Sequence, residues 1–482
     1  MKIFYKFILM LIPCIILCQK NTYNDILVEL QKRDFSEAIR VCETKISETP
    51  NDAPLYAYLS FSYFSAAQKK TIDIDEEAIR YRGIKRGDSY YFKENESMQD
   101  FLKEKITFDK DTLQLSETAM LKALSLDKNN FEFLLSLCEI YFAQKNHTQL
   151  LETINKILSM RVPLHAPMAI TKFGNGYFNI KEYAKALDIY TKVYSHFQTI
   201  DSYTNAAACY LTIGEIPEAI KLLQTALKIN PLDSISMEYL YQANVFQLKN
   251  DIAAYYKEIL LEQDSLNIIH ILDIAFAYFP YNNESSINYF EKYISLVKER
   301  EDQKRIIQLV ENILNDLKTN KNDLLTVLMR SEELCNLGYI NYAISLLAYI
   351  IQKDNTNSPA YFNLAVMFRE INHFKTAINY FSVCEELTQS LSDIREILSI
   401  IYYEKAKTYF LMEDYNNAIK YVKRNTEKFG KDSSELRYIL GVAFYETGNN
   451  EAAKKEFTNA IKLNDNKKFL GQSVVELKYL NK

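Results

Sequence analysis

One pattern recurs along this chain and restricts its fold more than any other property. The segments AACYLTIGEIPEAIKLLQTALKINPLD (207–233) and LGVAFYETGNNEAAKKEFTNAIKLND (440–465) follow a single plan. So do AVMFREINHFKTAINYFSVCEEL (365–387) and KTYFLMEDYNNAIKYVKRN (407–425). Each has an aromatic residue, a turn shortly after it, a small residue, and then apolar positions at helical spacing. In the stretch 200–233, Tyr203, Ala206, Ala207 and Tyr210 make one stripe of a first helix. Gly214 ends that helix, because positive φ costs glycine nothing. Ala219, Leu223 and Ala226 line a second helix, small residues at 207 and 219 let the two backbones approach, and Pro231 stops the pair.

Composition agrees. The 482 residues include only 10 Gly, 9 Pro and no Trp. So few chain-breakers exclude collagen, flexible linkers and a β-sandwich, which needs a turn residue about every 8–12 positions. An apolar fraction of 48% supplies a large core and argues against general disorder. The net charge of −5 excludes the basic footprint of a nucleic-acid-binding protein.

The hairpin pattern resembles the tetratricopeptide repeat, whose unit is 34 residues. Unit starts near 200, 234 and 268 are 34 apart, as are those near 324 and 358, and others fall near 19, 53, 131, 167, 399 and 434. The family's small residues correspond to Ala38, Ala186, Ala219, Ala343, Ala377, Ala418 and Ala453, and Tyr56, Tyr203, Tyr361 and Tyr402 stand at aromatic positions. The resemblance implies an all-α fold, a right-handed α-solenoid of helical hairpins. It divides the chain into an N-terminal array (18–300) interrupted at about 70–111, a polar connecting helix (301–323), a C-terminal array (324–466) and a capping helix (467–482).

Residues 1–18 differ from the rest. Lys2 and Lys6 precede an unbroken apolar run from Phe7 to Cys18, the signature of a signal peptide over 1–17. Ile15-Ile16-Leu17-Cys18 resembles a bacterial lipobox, with Leu17 in place of the usual small residue. That resemblance implies lipidation of Cys18 and a membrane-anchored protein of the bacterial cell envelope; an uncleaved anchor and a secreted form without lipid are the alternatives. The cysteines at 14, 42, 138, 209, 335 and 384 have no metal-ligand spacing and read as core filler.

No catalytic constellation is visible. The five His residues (147, 165, 196, 270, 373) are scattered, and pairs such as Glu332-Glu333 and Glu385-Glu386 point to different helix faces. Gly174-Asn175-Gly176 reads as a helix with small packing residues. No enzyme activity, metal, cofactor, small-molecule substrate or nucleic-acid partner is expected. In the interruption, Arg80, Arg82, Lys85 and Arg86 precede Ser89-Tyr90-Tyr91-Phe92 and could contact an anion or a partner. Because residues 70–111 hold 9 basic and 11 acidic side chains, solvated helix faces are the expectation there.

In solenoids of this kind first helices line an extended concave surface that suits chain-like ligands. By resemblance, the peptide-binding positions are Thr171, Lys172, Asn175, Asn205, Tyr239, Gln242, Asn363, Tyr403 and Tyr438. The family's carboxylate clamp is incomplete: Asn175 and Asn205 match it, but Thr171, Ile235 and Tyr239 stand where bases belong. The expected function is therefore a protein-protein interaction scaffold that binds internal segments of envelope proteins. A glycan-binding envelope lipoprotein, or an adaptor on an uncleaved anchor, is the alternative; sugar platforms favour Trp, which is absent.

Overall fold

A computed structural model of the chain describes residues 23–74, 85–86, 89–90, 102–300, 303–388 and 395–480. Among these residues lie 24 helices and four strands, an all-α helical-repeat solenoid. They fall into two compact units, the first ending at Ser202 and the second beginning at Tyr203.

Hairpins α1 (Asn24–Lys32)/α2 (Phe35–Glu48) and α3 (Ala53–Ala67)/α4 (Lys110–Leu126) open the first unit. Hairpins α5 (Phe131–Ala143)/α6 (His147–Leu158) and α7 (Ala166–Asn179)/α8 (Tyr183–Phe197) follow. The interruption emerges between α3 and α4, and the two helices still pair. Ser60 Oγ donates to the Ser116 carbonyl at 2.7 Å and Ser116 Oγ returns a bond to the Ser60 carbonyl at 2.8 Å, both buried. Two small side chains thus bring the backbones together and satisfy each other.

The interruption itself corrects the expectation of helix faces. β1 (Gln68–Ile74) pairs antiparallel with β4 (Leu102–Phe108), and β2 (Lys85–Arg86) with β3 (Ser89–Tyr90). The alternation in Thr71-Ile72-Asp73-Ile74 and in Lys105-Ile106-Thr107-Phe108 has the period of a strand. Phe108 fastens the base of the ribbon to Phe64 of α3, ring centroids 5.3 Å apart.

In the second unit α9 (Ile200–Thr212, which contains the boundary) pairs with α10 (Ile216–Ile229). Hairpins α11 (Ser234–Phe246)/α12 (Asn250–Gln263) and α13 (Ile268–Tyr278)/α14 (Asn283–Val297) come next. A single helix, α15 (Lys304–Lys318), leads to α16 (Leu324–Asn336)/α17 (Ile340–Lys353) and α18 (Ser358–Glu370)/α19 (Phe374–Thr388). The series ends with α20 (Arg395–Leu411)/α21 (Tyr415–Phe429), α22 (Ser434–Glu446)/α23 (Asn450–Leu463) and the closing helix α24 (Lys467–Leu480). α15 is not the polar helix expected of 301–323. Ile306, Ile307, Leu309, Val310, Ile313 and Leu317 are buried in one core that runs from Ala207 to Leu440.

Local chemistry explains the hairpins. All seven signature alanines are wholly buried. Asn130, Asp233, Asn267, Asn357 and Asn449 cap helices by accepting backbone N–H groups of the first turn. Most turns between paired helices place one residue at positive φ: Gly214, Gly338 and Gly448, but also Arg33, Lys145, Lys181, Leu248, Asn372 and Glu413. A side chain in that conformation costs about 1–2 kcal/mol. Glycine scarcity therefore marks turns held by the packing of their helices rather than by local preference.

Candidate functional site

The inner positions of the repeats in the second unit belong to two different surfaces. On the first, α17 packs against α11 and α13. Tyr342 to Ile350 are buried at nine successive positions, so α17 is enclosed on every side. Tyr342 stacks on Phe276, and Tyr349 meets Phe279 edge-on at 5.2 Å. Asn250 Nδ2 donates to Ser345 Oγ at 2.9 Å. Farther along, Phe246 contacts Phe368 and His373.

A polar cluster sits beneath α17. Lys257, with no exposed surface, pairs with Asp273 and Glu238, each at 2.6 Å, and lies 4.5 Å from the Tyr241 ring centre. Tyr241 donates to Asp273 at 3.2 Å, and Tyr342 also hydrogen-bonds this carboxylate. Burial pushes the Asp273 carboxyl up from its usual range, and Lys257 opposes that rise.

The second surface comprises α16, α18, α20 and α22, the first helices of the last four hairpins. Polar links join each helix to the next. Asn363 Nδ2 donates to Glu332 Oε1 at 3.0 Å. Arg369 bonds Glu404, and Tyr403 donates its hydroxyl to Glu435. Lys407 pairs with Glu435 at 3.4 Å and stands 5.0 Å over the Tyr403 ring. Burial and the Glu435 carboxylate raise the Tyr403 phenol far above its ordinary value, so it stays a donor. Leu325, Met329 and Ile400 are exposed on the same helices. Such a face presents aliphatic contact and side-chain hydrogen bonding together, which suits a polypeptide segment.

The sequence-derived residues divide among these surfaces. Asn363 and Tyr403 lie in the linked series, and Tyr438 on α22 rests on Phe457 and on Phe469 of the closing helix. Tyr239 and Gln242 are half-buried on α11, and Tyr239 is raised by burial. In the first unit Thr171 is buried, Lys172 pairs with Glu139 at 2.5 Å, and exposed Asn175 accepts from Tyr190 at 2.7 Å. Asn205 is half-buried in the second unit, so the two clamp-like asparagines stand on different units. Gly174 and Gly176 are packing residues, facing Tyr190 and Phe142. Cys18, residues 1–17, Arg80 and Arg82 lie outside the described residues, while Lys85 and Arg86 form β2. Cys42, Cys138, Cys209 and Cys384 are buried, as core filler should be.

Sequence reasoning missed Glu332, Arg369, Lys407 and Glu435: the Glu332-Glu333 pair reads as solvated surface, and nothing in the local sequence singles out the other three. Their signal was the near-repeat spacing of Glu332 from Asn363 and of Tyr403 from Glu435. Among the described residues no group of three or more His, Cys, Asp or Glu is placed to hold a metal ion. No described helix is long and apolar enough to cross a membrane.

Paired helices packed through buried alanines, stacked hairpin upon hairpin, define an α-helical repeat protein. Three stretches carry tetratricopeptide repeats: models of that repeat match residues 180–231 and residues 400–424 and 434–467. Proteins built from this repeat generally mediate protein-protein interaction. No curated protein matches the sequence. Among solved structures, YrrB, a repeat protein with an unusual peptide-binding site, is 18% identical; the match covers 38% of this chain and 95% of that one, with a TM-score of 0.30. The Cut9–Hcn1 hetero-tetramer of APC/C is 11% identical, covering 98% and 99%, with a TM-score of 0.31. A tetratricopeptide repeat protein from Parabacteroides merdae is 14% identical, covering 73% and 99%, with a TM-score of 0.26.

Proposed function

We propose that this protein is a non-enzymatic scaffold that binds extended segments of envelope proteins along α16, α18, α20 and α22. The observation that carries this reading is the series Glu332–Asn363, Arg369–Glu404 and Tyr403–Glu435 beside exposed Leu325, Met329 and Ile400. Asparagine and tyrosine offer a peptide backbone both donors and acceptors, and the aliphatic residues offer area. We further propose that lipid on Cys18 tethers the chain to a membrane of the bacterial envelope. Lys2, Lys6, the apolar run and Ile15-Ile16-Leu17-Cys18 support that part. Several acyl chains hold firmly where one alone anchors weakly.

Two measurements test the reading. Partners recovered with the full chain after crosslinking in its native cell should be lost with Leu325→Asp/Asn363→Ala, while circular dichroism stays unchanged. An unaltered partner set would refute the assignment of the face. Intact mass should show loss of residues 1–17 and a lipid adduct on Cys18; an unmodified Cys18 would refute the tether.

A further inference from the structure

The inner stripes of α11 and α13 are each divided in two. Toward the C-terminal ends Phe246 and Phe276 are covered by Phe368 and Tyr342. Toward the N-terminal ends the stripes are open. Ile235 is 53% exposed and Ile269 61%, and Leu232 and Leu266, in the loops just before these helices, are 63% and 69% exposed. The four residues occupy matching positions of adjacent repeats, so they form paired rows rather than scattered side chains. Four large aliphatics this exposed approach the few hundred Å² at which an apolar patch usually marks an interaction site.

The charges around the patch have mainly one sign. Asp233 accepts from the Ser236 N–H, Asp264 accepts from Asn267 Nδ2, and Glu262 is exposed. No described cation forms an ion pair with any of the three. Glu238, one helical turn from Ile235, keeps a half-exposed carboxylate although Lys257 holds it from below. The loops before α11 and α13 (230–233 and 264–267) hold no base, and Lys228 stands just ahead of the first, in the last turn of α10.

We propose that the open half of these stripes docks an apolar segment bearing Lys or Arg, supplied by a partner protein, with α17 walling off the covered half. Charge complementarity selects this occupant. A second copy would bring the same acids face to face, and an anionic lipid surface would be repelled by them. The patch also continues directly from the surface already buried by α17. The inference rests on the reading that inner repeat faces bind protein segments, but it assigns a different face and a ligand charge.

The test uses the full chain and three fluorescent 14-residue peptides: Leu/Lys, Leu/Glu and Ser/Lys in the same pattern. Anisotropy should show the Leu/Lys peptide binding at least tenfold tighter than the other two, and more weakly as salt rises. Ile235→Ser/Ile269→Ser should weaken it at least tenfold, and Glu262→Gln/Asp264→Asn severalfold, whereas Leu325→Ser/Met329→Ser should not change it. Equal affinity for Leu/Glu, or no response to Ile235→Ser/Ile269→Ser, would overturn the proposal. Self-association lost in Ile235→Ser/Ile269→Ser would overturn it in favour of a second copy. Loss only in Leu325→Ser/Met329→Ser would overturn it while sparing the scaffold reading.

Discussion

Tyr342 lies flat on Phe276, ring centroids 4.3 Å apart and planes 8° from parallel, although one belongs to α17 and the other to α13. The same Tyr342 hydroxyl reaches Asp273. One side chain thus supplies both the apolar and the polar closure between hairpins far apart in sequence. Tyr342→Ala should destabilise the chain by about 3–5 kcal/mol, the range for emptying a large aromatic site. Tyr342→Phe keeps the stack and should cost about 1.5–3 kcal/mol, the range for losing one hydrogen bond to a charged group, because Lys257 and Tyr241 still hold Asp273. Urea denaturation of the two variants separates the contributions.

Lys257 tests the cluster below. Its removal leaves Asp273 buried beside Glu238 with no cation, and breaking a buried pair costs about 3–5 kcal/mol. Lys257→Met should therefore be more damaging than Lys257→Met/Asp273→Asn, because the second change removes the stranded charge. A double variant no more stable than the single one would show that the charge is solvated.

His373 makes the joint sensitive to acid. It is 3% exposed, packed against Phe246 and Phe368, and its Nδ1 has no partner. Burial lowers its pKa from 6.5 to about 4. The unfolded chain then takes up a proton before the folded one, so stability is full above about pH 6.5 and falls as pH drops toward 4. The loss is about 3 kcal/mol at most, at 1.36 kcal/mol per unit. His373→Phe should remove that part of the pH dependence, read from denaturation midpoints between pH 7 and 4.

Glycines at helix contacts and glycines in open helix should respond oppositely to alanine. A Cβ on Gly174 would collide with the Tyr190 ring, while one on Gly471 would meet nothing within 4 Å. Alanine gains about 1 kcal/mol of helix propensity at either site. Overpacking at Gly174 costs about 1–3 kcal/mol against it. Gly174→Ala should thus lower the melting temperature and Gly471→Ala raise it.

The hairpins were legible because their packing is local. A small residue at 219, 377 or 453 faces its own partner helix, so period and composition reveal it. The contact of α17 with α11 and α13 is not local, and no repeat register predicts it. Its trace is Ile340-Asn341-Tyr342-Ala343-Ile344-Ser345-Leu346-Leu347-Ala348-Tyr349-Ile350, apolar around nearly the whole helix, which implies burial on more than one side. α15 carried a comparable sign in Ile306, Ile307, Val310, Ile313 and Leu317. Asn363 and Tyr403 were legible as residues of first helices. Their partners Glu332 and Glu435 were not, because an acid's partner on the next helix is fixed by stacking.

The proposed binding face is formed by α16, α18, α20 and α22. Photocrosslinking from Tyr403, replaced by a photoreactive phenylalanine in the native cell, tests it most directly, with exposed Lys420 on α21 as the control site. A defined protein adduct is expected from Tyr403, mapped by mass spectrometry to one continuous segment, and none from Lys420. Equal adducts from both sites, or none from Tyr403, would contradict it.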